Sequence, residues 1–96
     1  AALAEAPGLV VVDFWAVWCG PCQFIAPVML QLAARHPDLT VLKVDVDEAP
    51  ELVAKYGIRA VPTVLFFQNG TPVERLSGAA QLDAYEAIIT KLTKSE

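Results

Sequence analysis

The sequence predicts an α/β layered domain: a central mixed sheet of four strands with helices on both faces. Three observations carry that reading. Short β-branched and aromatic runs alternate with segments of helical periodicity, the pattern of a layered α/β domain. The first strand, helix and strand form a βαβ unit, whose strands should be parallel with a right-handed crossover. Between the last two strands stands Asn69-Gly70, a strong type I′ hairpin signal, so they add an antiparallel pair. The 96 residues suit one domain, read over 1–96. A chain of this size buries roughly 60–65% of the surface its unfolded form exposes, enough for one core.

Each element follows from local chemistry. Leu9-Val10-Val11-Val12-Asp13-Phe14-Trp15 is apolar at successive positions and reads as a strand buried on both faces. A helix begins just after it, with Pro21 suited to its first position. Ile25, Val28, Met29 and Leu32 recur at helical spacing, with Phe24 expected to widen the stripe. Pro27 inside the pattern predicts a bend rather than a break, and His36-Pro37 marks the end. Residues 39–45 are the second strand. Pro50 and Gly57 bracket a short helix over 51–56. Residues 63–67 form the third strand and 72–76 the return strand. Gly78 breaks the chain. A last helix over 80–93 turns Leu82, Tyr85, Ile89 and Leu92 inward.

Composition excludes several classes. Hydrophobic residues make up 55% of the chain and charged residues 19%, which is incompatible with intrinsic disorder. No apolar run reaches 18 residues, so no transmembrane helix is expected. The net charge is −4, and seven scattered Lys and Arg build no basic face for nucleic acid or an anionic membrane. Ala1 to Ala6 lack the basic region that opens a signal peptide.

The two cysteines, Cys19 and Cys22, are separated by Gly20-Pro21. Structural zinc takes four ligands, and His36 is the only other soft one, so no metal site is expected. His36 itself reads as a solvated residue at a helix end. A stapling disulfide between residues three apart would constrain the unfolded chain little. The remaining reading is a redox pair, and its position favours it. The cysteines straddle a helix N-terminus at the carboxyl end of a buried strand, where free N–H groups and the helix dipole favour a thiolate. Cys19, outside the helix, should be the exposed nucleophile. Cys22, in the first turn, should be the buried resolving thiol.

The stretch Phe14-Trp15-Ala16-Val17-Trp18-Cys19-Gly20-Pro21-Cys22 resembles the active site of the thioredoxin family. Asp13 stands where the family carries a buried acid, and Lys43 matches a lysine near it. Tyr56-Gly57-Ile58-Arg59-Ala60-Val61-Pro62-Thr63 resembles the segment that holds the family's cis-proline, and Gly78 matches a groove glycine. The similarity covers about residues 9–93, and its elements come in order at family-like spacing.

The resemblance implies a thioredoxin fold and a protein-disulfide reductase that works by dithiol–disulfide exchange. It implies Asp13 as proton acceptor and donor for Cys22, with Lys43 beside it, and a cis Val61–Pro62 peptide against the sulfurs. Asp13 could lie at a strand surface, but the apolar run on both sides of it favours burial; Lys43 could equally be a solvated strand-end lysine. Pro62 could be tolerated simply as the first residue of a strand. Trp18, Gly20, Pro21, Ala60, Val61 and Gly78 would form the substrate-binding surface, with Trp15 packed beneath. No cofactor is implied, because the Cys19–Cys22 pair carries the electrons. The partners implied are disulfide-containing proteins and a separate thioredoxin reductase, and the setting is cytoplasmic. Gly20-Pro21 places no thiolate-stabilising side chain between the cysteines, so the couple should lie toward the reducing end.

Two other readings keep the fold: a redox-independent interaction subunit, and a module of an exported thiol reductase. The intact cysteine pair argues against the first. Only residues 46–61 lie between the second strand and Pro62, which leaves little room for the insertion common in the second. The sequence departs from the family at Gln23, where a basic residue is common. It also departs at the N-terminus, where a strand and most of a helix are missing and residues 1–8 resemble the tail of that helix. With that fifth strand absent, 39–45 would be an edge prone to pairing. The expected state is therefore a monomer unless the shortened N-terminus exposes that edge.

Overall fold

The computed structural model describes residues 8–94. The proposed helix remnant at 1–8 therefore falls, except for Gly8, outside the described residues. In chain order the elements are β1 (Leu9–Trp15), α1 (Gly20–Arg35), β2 (Thr40–Asp45), α2 (Pro50–Tyr56), β3 (Thr63–Gln68), β4 (Thr71–Ser77) and α3 (Leu82–Thr93). The strands form one sheet in the order β2-β1-β3-β4. β1 and β2 are parallel, and β3 runs antiparallel to both β1 and β4. This is the mixed four-stranded sheet that the sequence predicts.

Residues 10–14 of β1 are all buried because helices cover both sheet faces. Alternation sends Val10, Val12 and Phe14 to one face, where they pack with Leu65, Phe67 and the α2 side chains Leu52 and Val53. Val11 points to the other face, against Ile25 and Leu32 of α1 and Tyr85 and Ile89 of α3. Asp13 follows Val11 by two and shares its face. Among the described residues β2 ends the sheet, and its side chains are half-buried or exposed.

The turns obey backbone chemistry. Asn69 and Gly70 both have positive φ, 51° and 85°, as a type I′ turn requires. Gly57 closes α2 in the left-handed region at φ 63°, and its N–H donates to Ala54 and Val53 carbonyls. Gly57→Ala has open space for its methyl group but the wrong φ. It should lower stability by about 1 kcal/mol, read as a lower urea midpoint at an unchanged m-value. An unchanged midpoint would show that the cap tolerates a β-carbon.

Two expectations are corrected. Phe24 is 58% exposed and does not widen the apolar stripe of α1. The buried residues of that helix are Cys22, Ile25, Met29 and Leu32, and one step of about 100° turns Phe24 off their face. His36 is not simply solvated. It caps α1, and its Nε2 lies 2.7 Å from Glu86 Oε1 on α3, tying the two helices together. α1 itself runs unbroken through Pro27.

Candidate active site

β1 delivers its last residue, Trp15, to the sheet edge from which α1 starts. The chain turns through residues 16–19, closed by a hydrogen bond from the Cys19 N–H to the Ala16 carbonyl at 3.2 Å. Cys19 is the N-cap of α1, with extended backbone at φ −97° and ψ 109°. Its Sγ accepts a hydrogen bond from the Cys22 N–H at 3.1 Å. Sulfur thus takes the place that a serine or aspartate oxygen usually fills at a helix start. Pro21 occupies the first turn and presents no N–H of its own to satisfy.

Cys19 and Cys22 are joined in a disulfide, with Cα atoms 5.3 Å apart. The fold therefore holds the oxidised form of a pair whose reduced form would feel the same N-terminal donors. The expected contrast in exposure is absent in this form. Cys19 is 4% exposed and Cys22 3%. The bridge and the Cys22 N–H hold the Cys19 sulfur against the helix turn, while Trp15, Val46 and Val61 pack around the pair. Gly20 and Pro21, between the cysteines, are exposed.

The Val61–Pro62 peptide is cis, and Val61 packs against the cysteine pair. Two hydrogen bonds fix this segment. The Gly78 N–H donates to the Pro62 carbonyl at 2.8 Å, and the Thr63 hydroxyl donates to the Ala60 carbonyl at 2.7 Å. These bonds join Ala60, Val61, Pro62 and Gly78 into one unit, of which Val61 packs against the cysteine pair. Trp18 is 68% exposed, and its indole N–H donates to Asp47 Oδ2 at 2.9 Å.

Asp13 is 1% exposed, and neither carboxylate oxygen has a hydrogen-bond partner. Burial raises its pKa from 3.8 to about 6, against a smaller opposing pull from Lys43. Lys43 is directly opposite Asp13 in the β1–β2 register. Lys43 is exposed, with its Nζ 4.6 Å from the centroid of the Trp15 ring, a cation–π contact. Trp15 bridges these groups, since it also packs against the cysteine cluster.

Two residues near this constellation escaped sequence reasoning, Val46 and Asp47, and Thr63 entered it only as the end of the cis-proline segment. The Val46 N–H donates to the Trp15 carbonyl at 2.9 Å, extending the parallel pairing past the end of β2. That bond carries the loop after β2 to the cysteine turn. The available signal was topological, because the carboxyl ends of adjacent parallel strands converge on one site. Among the described residues no group of three or more His, Cys, Asp or Glu is placed to hold a metal ion. No helix there is long and apolar enough to cross a membrane.

This arrangement supports two-electron exchange between a dithiol and a disulfide, and comparison with known proteins agrees. The family model of thioredoxin matches residues 1–91. A thioredoxin of Chlamydia trachomatis is 43% identical over 86 residues, which are 90% of this chain and 84% of that protein. One from Alicyclobacillus acidocaldarius is 47% identical over 79 residues, 81% of this chain and 75% of its own. The solved structure of a Plasmodium falciparum thioredoxin superposes with a TM-score of 0.86 at 38% identity, covering 94% of this chain and 87% of that one.

Proposed function

This chain belongs to the thioredoxin family, and on that premise we propose how its residues divide the work of reducing protein disulfides. The activity is thiol–disulfide exchange. In the proposed order, the Cys19 thiolate attacks one sulfur of a substrate disulfide. The other substrate sulfur leaves as a thiolate and takes up a proton, and a Cys19–substrate bridge remains. Cys22 then gives its proton to Asp13 and attacks the Cys19 sulfur. The second substrate sulfur leaves and is protonated. Two electrons have passed to the substrate, and the Cys19–Cys22 disulfide remains. A separate reductase then restores the dithiol.

The observation that carries this reading is the bridged pair at the start of α1, with Cys19 as the cap and Cys22 in the first turn. The other roles are assigned around it. Asp13 is the proton carrier for Cys22, since its pKa of about 6 suits exchange near neutral pH. Lys43 moderates that pKa. The cis Val61–Pro62 segment borders the sulfurs without offering a side-chain ligand, and the Val61 backbone pairs with an extended substrate segment. Trp18, Gly20, Pro21, Ala60 and Gly78 form the docking rim. In this reading the working form is a monomer. The setting is cytoplasmic, where the ambient poise keeps such a donor reduced. The net charge of −4 speaks against nucleic-acid partners.

A redox titration against glutathione or dithiothreitol tests the direction of electron flow. Gly20-Pro21 adds no side chain that stabilises a thiolate, so the midpoint should lie well below the roughly −180 to −120 mV of oxidising folding catalysts. A midpoint inside that range would overturn the reductase reading.

A further inference from the structure

Tyr85 lies on α3, a helix to which the proposed chemistry assigns nothing. Its ring is fully buried in the core cluster that also contains Val11 and Val64. As a space-filling ring it needs no hydroxyl, and phenylalanine would serve. A buried phenol normally finds a hydrogen-bond partner, because an orphaned one costs on the order of 1–3 kcal/mol. The Tyr85 hydroxyl has none of acceptable geometry, although the Ala80 backbone lies near enough to favour its ionised form.

The other orphaned buried atoms among the described residues are both carboxylate oxygens of Asp13 and one oxygen of Glu86. Glu86 is already engaged by His36 and Arg35. Asp13 is not engaged, and it occupies the same compartment. It shares a sheet face with Val11, and Val64 is its register partner on β3. The charge on Asp13 reaches Tyr85 and adds to the burial that raises its pKa. One donor and two acceptors thus lie unpaired on one side of the sheet, within electrostatic reach and without a direct bond.

We propose that Tyr85 is a positioning residue of the proton-handling site, its hydroxyl donating through one bridging water to the Asp13 carboxylate. Such a bridge satisfies all three atoms at little entropic cost. It favours the charged carboxylate and so limits how far burial can raise the proton affinity of Asp13. The remaining groups around Asp13 are few. β2 supplies Lys43, β3 supplies the apolar Val64, and α1 carries no titratable side chain before Arg35 except the bridged Cys22. The proposal rests on Asp13 being the proton carrier, but its test does not.

The test is the pH titration of the Asp13 carboxyl carbon by NMR in the oxidised protein. Tyr85→Phe keeps the ring and removes the donor. It should raise the Asp13 pKa by about 0.5–1 unit, the worth of one water-mediated hydrogen bond to a charged group. Ile89→Val trims the same cluster on the same helix and should leave the titration where it is. An unchanged titration in Tyr85→Phe overturns the proposal. So does an equal shift in Ile89→Val, which would make the effect one of packing. Because the readout is a carboxyl signal, it reports the link even if Asp13 proves to have no part in Cys22 chemistry.

Discussion

Cys22→Ser should begin the reaction and fail to finish it. With Cys19 intact, the attack on a substrate disulfide proceeds and leaves a mixed disulfide. No second thiol then follows to release it. The expected product is a stable covalent complex through Cys19, visible by intact mass and on non-reducing gels and dissolved by dithiothreitol. Cys19→Ser should form no complex at all. Turnover in both should drop by at least about three orders of magnitude, the scale on which removing a nucleophile acts. The asymmetry follows from the helix start. The Cys22 N–H points at the Cys19 sulfur from 3.1 Å, so it is the Cys19 thiolate that the helix terminus stabilises. Resolution should be fast in the native protein because the Cα atoms are already 5.3 Å apart and the second attack is intramolecular. Turnover by Cys22→Ser, or an adduct on Cys22 in Cys19→Ser, would reverse the two roles.

The parts of this site legible in the sequence are those that local chemistry dictates. The Val10–Val12 run, Pro21 at a helix start, Gly57 at a helix end and Asn69-Gly70 at a hairpin each follow from φ/ψ restriction or periodicity. The cysteine pair is legible for the same reason, since strand, turn and helix follow one another without a gap. What stayed hidden depends on elements distant in sequence. The burial of Cys19 needs Val46 and Val61 folded over it. The Trp18–Asp47 bond needs β2 to lie parallel to β1 in one particular register. His36 finds Glu86 only because α1 and α3 share a sheet face. The outward turn of Phe24 is a different failure: the stripe through Ile25, Met29 and Leu32 was right, but Phe24 stands one step of about 100° from Ile25 and off that face.

Asp13→Asn should make the protein more stable and a poorer catalyst. Most native carboxylates are stabilised as anions, and stability then grows as pH rises. Asp13 runs the other way. Its pKa is about 6 in the fold against 3.8 when free, so the folded state holds the proton more tightly. Below about pH 3 both states are protonated and Asp13 has almost no effect. Between about 3 and 6 the unfolded chain ionises first and stability falls. Above that, the full cost remains, roughly two units at about 1.4 kcal/mol each, or about 3 kcal/mol. The neutral amide of Asn removes that term. At pH 7.5 the oxidised variant should therefore exceed the native protein by about 3 kcal/mol in urea unfolding, on the order of 10 °C in Tm. At pH 3 the two should nearly coincide. The same substitution deletes the proposed acceptor for the Cys22 proton, so release of a preformed Cys19 mixed disulfide should slow about 100-fold at neutral pH, the lower range of general-base contributions. Parallel stability curves across pH would mean that burial does not hold the carboxyl protonated. Unslowed release would mean that Cys22 loses its proton elsewhere. If both effects appear together, the buried carboxyl at the centre of β1 is held at a cost to stability because the resolving step needs it.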